Sequence, residues 1–340
     1  MGGGARILEA TPESIREVVD ILLAGEVVAL PTETVYGLAA VINDGGALRK
    51  IFQAKGRPSY DPLIIHALDL SGLLDLVEVG GVLLDKLRRL CDAFCPGPLT
   101  FVLRKRKAVS DIITAGKKTV AIRIPSHPIF REILRRTGPL AAPSANPFGY
   151  VSPTCAEHVR ISMGEKISHI LDGGPCEIGV ESTILDLSGR RFTILRPGAI
   201  TAEMVSEVLG EGVELLRPVA STDPAAPGML RQHYSPHTKL RLFRRSAEEV
   251  LLNFGKDFGK NVAIVYLSRN HMPLSGEGKW AKNIFWLSEG GDWNEVARNI
   301  FALLRRLDGM QFDLICCQVP EKIGVGAAIN DRLSRAAAKF

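Results

Sequence analysis

The stretch TVAIRIP, residues 119–125, predicts a buried β-strand around which the rest of this sequence can be read. Its aliphatic side chains recur at every second position and must face a core, and they are Val120, Ile122 and Ile124. On the opposite face Arg123 is costly in mid-strand unless it is paired or meets a ligand, and the small Ala121 leaves room for one. The segment therefore favours a ligand site on one face of the strand. The alternative is an arginine buried against a carboxylate of the protein itself.

Strand and helix patterns alternate irregularly on both sides of that stretch. Short apolar runs predict strands at 27–30, 63–66, 100–103, 119–124, 167–171, 182–187 and 192–195. A 3.6-residue apolar period, together with capping and stop residues, predicts helices at 11–25, 43–55, 79–94 and 128–137. Because strands do not alternate regularly with helices, this order favours a mixed α/β sheet over a doubly wound parallel one.

A proline-rich segment separates this region from the rest of the chain. Residues 216–238, LRPVASTDPAAPGMLRQHYSPHT, contain four prolines and little periodicity, which is typical of a long linker or lid. Beyond it, a regular alternation predicts a small Rossmann-like α/β domain, with strands at 240–243, 261–267 and 312–318 and helices at 247–254 and 294–307. We therefore divide the 340 residues into a catalytic domain, a linker and a C-terminal domain at 1–205, 206–238 and 239–340.

Composition excludes several classes of protein. The chain carries 42 basic and 37 acidic residues, of which the first 205 positions hold 24 and 22, so neither half has the basic excess of a dedicated nucleic-acid-binding domain. The six cysteines match no common zinc pattern and indicate free thiols in a reducing compartment. The first residues do not read as a signal peptide and no apolar run is long enough for a membrane span, so we expect a cytoplasmic protein without membrane contact.

Polar residues follow predicted strands or helices in four further blocks. These are PTETVYGL at 31–38, KGRPSYDPLIIH at 55–66, AAPSANP at 141–147 and GVESTILDL at 179–187. Such positions hold binding sites in α/β proteins, although a rigid turn or a cap on the next helix would also explain them. Cations beside Gly or Pro suit a polyphosphate, and they are Lys55, Arg57, Arg123 and Arg196. Alternatively, Lys55 and Arg57 lie at a solvated C-terminal end of a helix, where cations are favoured. The alternative for His66 is a structural role without contact to a ligand.

Eight sequence blocks, in order, resemble one known family. They are PTETVYGL, AKGRPSYDPLIIH, PGPLTFVL, TVAIRIPSHP, AAPSANPFGYVSPT, LDGG, GVESTILDL and LRPG. Over about residues 8–205 the chain is similar to the threonylcarbamoyl-AMP synthase family, whose catalytic module is the YrdC-like domain. APGMLRQHYSP and GVGAAINDRLSRAA look like the linker and the C-terminal domain of its long, two-domain form. The resemblance implies a twisted, mixed α/β sheet that encloses a large concave basic cavity.

The resemblance also implies a reaction. L-Threonine, bicarbonate and ATP give threonylcarbamoyl-AMP, pyrophosphate and water, and downstream proteins then transfer the threonylcarbamoyl group to tRNA. Mg²⁺ would accompany ATP, held mainly by its phosphates and by water, with no metal bound tightly by the protein. A weak direct contact with tRNA is a further expectation.

Matching positions give two groups of expected site residues. Those expected to contact L-threonine are Thr34, His66, Arg123, Ser182 and, through its backbone, Ala142. Those expected to contact ATP or the carbamate are Lys55, Arg57, Asp61, Thr119, Ser144, Asn146, Ser152, Arg196 and Tyr234. Lys55, Arg57 and Arg123 are the expected catalytic residues. Asp61 departs from the family, which usually has Asn there, and an anion near phosphates requires an adjacent metal or cation.

Two other functions fit part of the sequence. A non-enzymatic RNA-binding protein could place the basic run at 104–107 on phosphates, and salt-dependent RNA binding without ATP turnover would identify it. A carbamoyltransferase would use related chemistry, but the zinc-finger and acylphosphatase-like modules that usually accompany it are not visible in the sequence. Within the expected synthase, residues 225–237 would fold over the cavity as a lid that keeps water from the carbamate.

Overall fold

The computed structural model describes residues 4–216, 226–229, 233–244, 261–271 and 283–338. These residues form two β-sheets, one of eleven strands and one of four, with helices packed on both. All six cysteines are free thiols, as their spacing predicts. Within the described ranges, no helix is both long enough and apolar enough to cross a membrane.

The larger sheet mixes parallel and antiparallel pairings. Its strands are β1 (Arg6–Glu9), β2 (Val28–Leu30), β3 (Gly37–Val41), β4 (Ile64–His66), β5 (Leu99–Arg104), β6 (Thr119–Arg123), β7 (Leu140–Ala141), β8 (His169–Asp172), β9 (Thr183–Asp186), β10 (Thr193–Arg196) and β11 (Glu214–Leu215). Across the sheet they follow the order β1-β8-β2-β3-β7-β4-β6-β5-β9-β10-β11. The antiparallel pair β5–β6 adjoins the parallel pair β4–β6. This arrangement confirms the mixed α/β sheet predicted from the irregular element order.

Eight helices of the described chain accompany this sheet. They are α1 (Pro12–Leu23), α2 (Gly45–Lys55), α3 (Leu70–Leu74), α4 (Gly81–Phe94), α5 (Asp111–Thr114), α6 (Pro128–Thr137), α7 (Ala156–Met163) and α8 (Ala202–Leu209). Local sequence sets their ends: the Thr11 hydroxyl caps α1 and the Asp44 carboxylate caps α2 by accepting backbone N–H groups. α2 stops at Gly56, whose φ of 61° is a left-handed conformation that glycine adopts easily. All four helices predicted from periodicity are present.

Several short elements have little signal in the sequence. Strand β3 reads GLAAV, and its small side chains show neither alternation nor the β-branching that favours strands. It forms because β2 and β7 pair with it on either side. Helices α7 and α8 and the two-residue strand β7 were likewise not predicted. Neighbouring strands supply the hydrogen-bond partners that local propensity does not reveal.

Strand β6 lies near the middle of the larger sheet, between β4 and β5. Its apolar side chains are buried as predicted, with Val120 and Ile122 exposed by 2% and 0%. The opposite face is buried as well, and Arg123 is only 4% exposed. His66 on β4 and Thr100 on β5 lie in register with Arg123. Three polar side chains therefore stand side by side on three central strands.

The smaller sheet is entirely parallel. Its strands are β12 (Lys239–Phe243), β13 (Val262–Ser268), β14 (Ile284–Ser288) and β15 (Leu314–Gln318), in the order β12-β15-β13-β14. Helices α9 (Trp293–Gly309) and α10 (Val325–Ala337) and a 3₁₀ turn at Arg269–His271 belong to the same unit. The predicted small parallel α/β domain is confirmed, while β14 and α10 were not predicted. The helix predicted at 247–254 lies outside the described residues.

The two units share one apolar core. Val35 and Val151 from the first half of the chain pack in the same buried cluster as Phe301 and Leu304 of α9. Burial of such side chains stabilises by roughly 1.5–3 kcal/mol each relative to exposure. The contact between the units is therefore part of the folded core rather than a loose surface contact.

Arg305 on α9 is a buried cation at this contact. Its Nε donates to the Ser152 carbonyl at 3.2 Å, its Nη1 donates to the His158 carbonyl at 3.1 Å, and its Nη2 donates to the Val151 carbonyl. Its guanidinium carbon also lies 4.9 Å from the centroid of the Tyr150 ring. Three carbonyl groups of the first unit thus depend on one side chain of the second.

Replacing Arg305 with Met should destabilise the protein, because the buried carbonyl oxygens of Val151 and Ser152 lose their donor. We expect the free energy of unfolding to fall by about 3 kcal/mol. Because the contact between the units weakens, calorimetry should resolve two transitions in R305M in place of one. The exposed neighbour Arg306 offers a control, since R306M should change the free energy by less than about 1 kcal/mol. An R305M protein with unchanged unfolding would contradict the assigned role.

Candidate active site

A cavity opens where the central strands of the larger sheet end. Loops after β2 and β7, the ends of β4, β6 and β10, and part of the linker surround it. Its lining residues are Thr32, Thr34, Val35, Gly37, Arg57, Ile64, His66, Arg123, Ala142, Pro143, Ser144, Glu181, Ser182, Arg196, Pro227, Gly228, His233 and Tyr234. Concave sites at strand ends are where α/β proteins commonly bind ligands.

Arg123 is the last residue of β6, and each of its three guanidinium nitrogens contacts an oxygen of the protein. Its Nη1 donates to Thr34 Oγ1 at 2.7 Å and its Nε donates to the Gly97 carbonyl at 3.1 Å. Its Nη2 lies 2.6 Å from Oε1 of Glu33. The pairing with a carboxylate of the protein is confirmed, while the ligand site stays a prediction for an arginine that also lines the cavity.

Glu33 is the carboxylate that balances this cation. It is 3% exposed, and its Oε1 also accepts a hydrogen bond from the backbone N–H of Ser126 at 3.1 Å. Burial by itself would raise the pKa of Glu33, but the charge and hydrogen bond of Arg123 outweigh burial and lower the pKa to about 2. Glu33 is therefore ionised at neutral pH. It was missed in the sequence, although a carboxylate between two threonines just after a buried strand is a usable signal.

Thr32 and Thr34 form a hydroxyl pair beside Arg123. Thr32 Oγ1 donates to the Val35 carbonyl at 2.7 Å and accepts from the backbone N–H of Thr34 at 3.1 Å. The two hydroxyl oxygens are 2.9 Å apart. Because the Thr32 proton is used on Val35, the Thr34 hydroxyl donates to Thr32 while it accepts from Arg123. These bonds hold the loop after β2 in one conformation.

His66, the last residue of β4, is a neutral group in this site. It is 3% exposed, and burial, followed by the charge of Arg123, lowers its pKa to about 3. Its ring lies 5.1 Å from that of Phe130, and its Nδ1 has no hydrogen-bond partner among the described residues. A neutral imidazole with one unused nitrogen can form a hydrogen bond to a ligand but brings no charge to it.

Ser182 links strands β5 and β10. Its Oγ lies 2.7 Å from Thr100 Oγ1 and accepts from Arg196 Nη2 at 3.1 Å, while its carbonyl accepts from Arg196 Nε at 3.1 Å. Arg196 Nη1 reaches the Pro227 carbonyl of the linker at 3.3 Å. Burial lowers the pKa of Arg196, but a guanidinium of this kind remains protonated at neutral pH. Arg196 therefore brings a fixed positive charge to the cavity.

Lys55, the last residue of α2, points into the protein. It is 3% exposed, and its Nζ donates to the carbonyls of Ser144 and Asn146 at 2.5 Å and 2.6 Å. The interpretation of Lys55 as a solvated helix end is therefore wrong, because the loop at 144–146 covers that end. Burial, and then the charge of Arg57, lower the pKa of Lys55 well below its ordinary value. Lys55 holds the loop whose Ser144 lines the cavity, and does not line it itself.

Arg57 and Asp61 form a buried ion pair beside the cavity. Arg57 Nη2 lies 2.9 Å from Asp61 Oδ2, and the same guanidinium donates to the carbonyls of Asp61 and Pro62. Burial raises the pKa of Asp61. Neither carboxylate oxygen accepts a well-aligned hydrogen bond from the described residues. The cation that an acidic residue at position 61 requires is thus present, and of the two only Arg57 lines the cavity.

Glu181 is a further buried carboxylate. It lines the cavity, and two side chains bind it. Ser152 Oγ donates a short hydrogen bond to its Oε1, and Arg332 Nε lies 2.7 Å from its Oε2. Burial by itself would raise the pKa of Glu181, but Arg332 and Arg196 lower it. Neither Glu181 nor Arg332 was predicted. Glu181 stands in the polar block at 179–187, whereas the sequence of α10 does not mark Arg332.

Linker residues close one side of the cavity, and they are Pro227, Gly228, His233 and Tyr234. Tyr234 is 1% exposed and has a φ of 63°, which is unusual for a residue other than glycine. Its ring stacks on Phe301 of α9 with centroids 5.7 Å apart, and the Arg332 guanidinium lies 5.2 Å from the same ring. Positions 225 and 230–232 of the predicted lid lie outside the described residues.

The cavity brings together most of the residues expected from the resemblance. Those that line it are Thr34, Arg57, His66, Arg123, Ala142, Ser144, Ser182, Arg196 and Tyr234. Those that do not are Lys55, Asp61, Thr119, Asn146 and Ser152. The basic run at 104–107 contributes no lining residue, and Lys105 in it pairs with Asp111 at 2.5 Å. In the described part of the chain, no group of three or more His, Cys, Asp or Glu residues could hold a metal.

Known proteins similar to this chain cover nearly its whole length. A family model described as telomere recombination matches residues 20–198, and one described as the threonylcarbamoyl-AMP synthase C-terminal domain matches 200–338. The threonylcarbamoyl-AMP synthases of Pyrococcus abyssi and Bacillus subtilis are 39% and 38% identical, with 95% and 97% of this chain and 93% and 94% of those proteins covered. The structure of P. abyssi Sua5 complexed with L-threonine superposes with a TM-score of 0.87 at 36% identity, over 98% of both chains.

Substituting Glu33 by Gln should change the acid stability of the protein. The folded pKa of Glu33 is about 2 and its ordinary value is 4.5, so ionised Glu33 stabilises the fold above pH 4.5. That stabilisation is lost as the pH falls from 4.5 to about 2. Across this window the difference in free energy of unfolding between wild type and E33Q should shrink by about 3 kcal/mol, as urea denaturation would measure.

The control for this prediction is E26Q, which removes an exposed carboxylate paired with Lys50. Its difference from wild type should stay small at every pH, because an exposed ion pair contributes little. If the difference in free energy of unfolding between wild type and E33Q stayed constant from pH 4.5 to about 2, the pairing of Glu33 with Arg123 would be contradicted.

Proposed function

The chain belongs to the threonylcarbamoyl-AMP synthase family, and we propose that it converts L-threonine, bicarbonate and ATP to threonylcarbamoyl-AMP, pyrophosphate and water. The observation that carries this proposal is an excess of buried positive charge around one cavity. The buried guanidinium cations in or directly behind it are Arg57, Arg123, Arg196 and Arg332, and the buried carboxylates are Glu33, Asp61 and Glu181. Such an excess is costly without an anionic ligand, and a triphosphate with a carboxylate would supply one.

The chemistry of this reaction fits a site that positions the substrates and neutralises their negative charge. The neutral threonine amine attacks the carbon of bicarbonate, and loss of water leaves a carbamate. A carbamate oxygen then attacks the α-phosphorus of ATP, and the bond from that phosphorus to pyrophosphate breaks. No covalent enzyme intermediate is required, so the site needs no activated nucleophile. Catalysis of this kind comes mainly from orientation and from fixed charges that stabilise developing negative charge.

In this proposal, L-threonine lies at the end of β6. Arg123 would attract its carboxylate, while Thr34 and Ser182 offer hydroxyl groups and the neutral His66 offers one ring nitrogen. The backbone of Ala142, after β7, would add a further contact. The P. abyssi relative that is described in complex with L-threonine supports this assignment.

ATP occupies the other part of the cavity in this proposal. Arg57 and Arg196 would neutralise its phosphates, with Ser144 and Tyr234 beside them. The remaining expected residues would act from behind the lining, and they are Lys55, Asp61, Thr119, Asn146 and Ser152. Lys55 in particular would hold the loop at 144–146 against the nucleotide while adding its charge to the site.

Mg²⁺ would enter with ATP and neutralise charge on the phosphate oxygens. The residues present fit this arrangement, because Mg²⁺ commonly keeps several waters and takes only one or two carboxylates besides substrate phosphates. Among the described residues that line the cavity the one carboxylate is Glu181, which is already bonded to Ser152 and Arg332, so phosphate oxygens and water would hold most of the ion. The protein would thus hold the ion through ATP rather than through a metal site of its own.

The proposal also assigns the three parts of the chain. Residues 1–205 would form the catalytic domain, 206–238 a lid, and 239–340 a C-terminal domain that anchors the lid. Tyr234, stacked on Phe301, supports this arrangement because it joins the lid to that domain. The product would pass, in the cytoplasm, to the proteins that modify tRNA, and a weak contact with tRNA would assist that transfer.

The decisive test is an assay of pyrophosphate release from ATP by the full-length protein. We expect release to depend on both L-threonine and bicarbonate, and mass spectrometry to identify threonylcarbamoyl-AMP. R196M should lower kcat/KM about 100-fold, because a buried cation is lost from the phosphate site. The exposed pair of Arg16 with Glu13 offers the control variant R16M, which should retain full activity. ATP consumption that did not depend on L-threonine would refute the proposal.

The lid makes a separate prediction about coupling. Y234A removes a ring that closes the cavity, so water should reach the carbamate and more ATP should be consumed per threonylcarbamoyl-AMP formed. Y234F keeps the ring on Phe301 and Arg332 and removes only the hydroxyl group, so its coupling should stay within about threefold of wild type. Quantifying both products in one reaction measures the ratio. Equal coupling in Y234A and wild type would contradict the lid.

A further inference from the structure

Glu181 is an anion at a place where anions are expected to be repelled. It is 6% exposed and lines the cavity directly before β9. The proposed ligands, ATP and a carbamate, bring several negative charges into the same space. In a partly desolvated site an ionised carboxylate opposes such ligands strongly unless the protein balances its charge.

Two arginines balance Glu181 from different elements. Arg196, on β10, lies within electrostatic range of it and is also bonded to Ser182. Arg332, on α10, is bonded to Glu181 directly, with Nε 2.7 Å from Oε2 and with Nη2 donating to the Glu181 carbonyl at 3.4 Å. Arg332 is 1% exposed and does not line the cavity. It can therefore act on a ligand only through the groups it holds.

Arg332 also meets the linker and the loop after β7. Its guanidinium carbon lies 5.2 Å from the centroid of the Tyr234 ring, and its partner Glu181 accepts the hydroxyl of Ser152. The remaining nitrogen, Nη1, pairs with Asp331 of its own helix at 2.8 Å. One side chain of the C-terminal unit thus holds a carboxylate of the cavity and packs against the lid.

We propose that Arg332 is a positioning residue through which the C-terminal domain makes the cavity accept anions. It neutralises Glu181 and holds that carboxylate against Ser152, which leaves the charge of Arg196 available to the phosphates of the substrate. Without Arg332, the charge of Glu181 would be balanced by Arg196. Arg196 would then attract an anionic ligand in the cavity much more weakly. The inference rests on the proposed function for the identity of the ligand, and it gives the second domain a part in catalysis.

A charge-balancing role and a purely structural role predict different patterns of rescue. If Arg332 balances Glu181, removing both charges together restores the cavity, because a neutral Gln can still accept the Ser152 hydroxyl. If Arg332 only fills space in the contact between the units, removal of the Glu181 charge cannot compensate for its loss. A double-mutant cycle between these two positions separates the roles.

The experiment uses the full-length variants R332Q, R332K, E181Q and E181Q/R332Q. Affinity for inorganic pyrophosphate is measured by calorimetry, and the KM for ATP is measured in the threonine- and bicarbonate-dependent reaction. R332Q should weaken pyrophosphate binding and raise the KM for ATP at least about tenfold. R332K should lie between R332Q and wild type. E181Q/R332Q should return both quantities to within about threefold of wild type.

The matched control is R298Q, which removes an exposed arginine of α9 that also reaches the first unit. Arg298 Nε donates to the Glu177 carbonyl at 2.8 Å. Arg298 does not line the cavity, so R298Q should keep pyrophosphate affinity within about threefold of wild type. Midpoints of thermal unfolding are recorded for every variant, so that lost affinity can be compared among proteins of similar stability.

Three outcomes would overturn the inference: unchanged affinity in R332Q, a double variant as weak as R332Q, or an equal loss in R298Q. If R332Q fails to fold, a folded E181Q/R332Q with normal affinity supports the inference, and one with weak affinity overturns it. Pyrophosphate binding is measured without turnover. Failure of the wild type to make threonylcarbamoyl-AMP would therefore refute the proposed function while the binding data still test Arg332.

Discussion

A positive charge buried at the end of a central strand is the constraint on which the rest of this molecule depends. Arg123 is almost completely buried, so the protein must surround its guanidinium with acceptors, and it does so with Glu33, Thr34 and the Gly97 carbonyl. Those partners fix the loop after β2, which in turn forms one wall of the cavity. The interactions that stabilise the buried Arg123 guanidinium therefore also shape the cavity.

The same rule extends across the site and into the second unit. Each buried cation is held by carbonyl groups or by a carboxylate, and each buried carboxylate by an arginine. The C-terminal unit takes part in this balance, since Arg332 reaches Glu181 and Arg305 reaches the carbonyls of 151, 152 and 158. The two units are therefore coupled through shared charges and a shared apolar core.

Much of the fold followed from local patterns, and the exceptions have a common cause. Helices with a clear apolar face and a capping residue, such as α1 and α2, were predicted correctly because their signals lie within a few residues. Strand β3, with small side chains, was missed because its stability comes from β2 and β7. The same distinction applies to the site residues. Polar residues at strand ends were recognised from the sequence. Glu33, Glu181 and Arg332 were missed because the role of each depends on an ion pair with a residue distant in sequence.

The sequence by itself determined the elements with a clear period, the family and four of the cations at strand and helix ends, because periodicity, capping and ordered motifs are local properties of a chain. Only the tertiary structure decided what those cations do. It turned Lys55 inward onto a loop, paired Arg57 with Asp61, and brought Arg332 beside Glu181 from 151 positions away. Electrostatic interactions depend on distance and burial rather than on order along the chain, and so the charge balance of the site could be read only after the chain had folded.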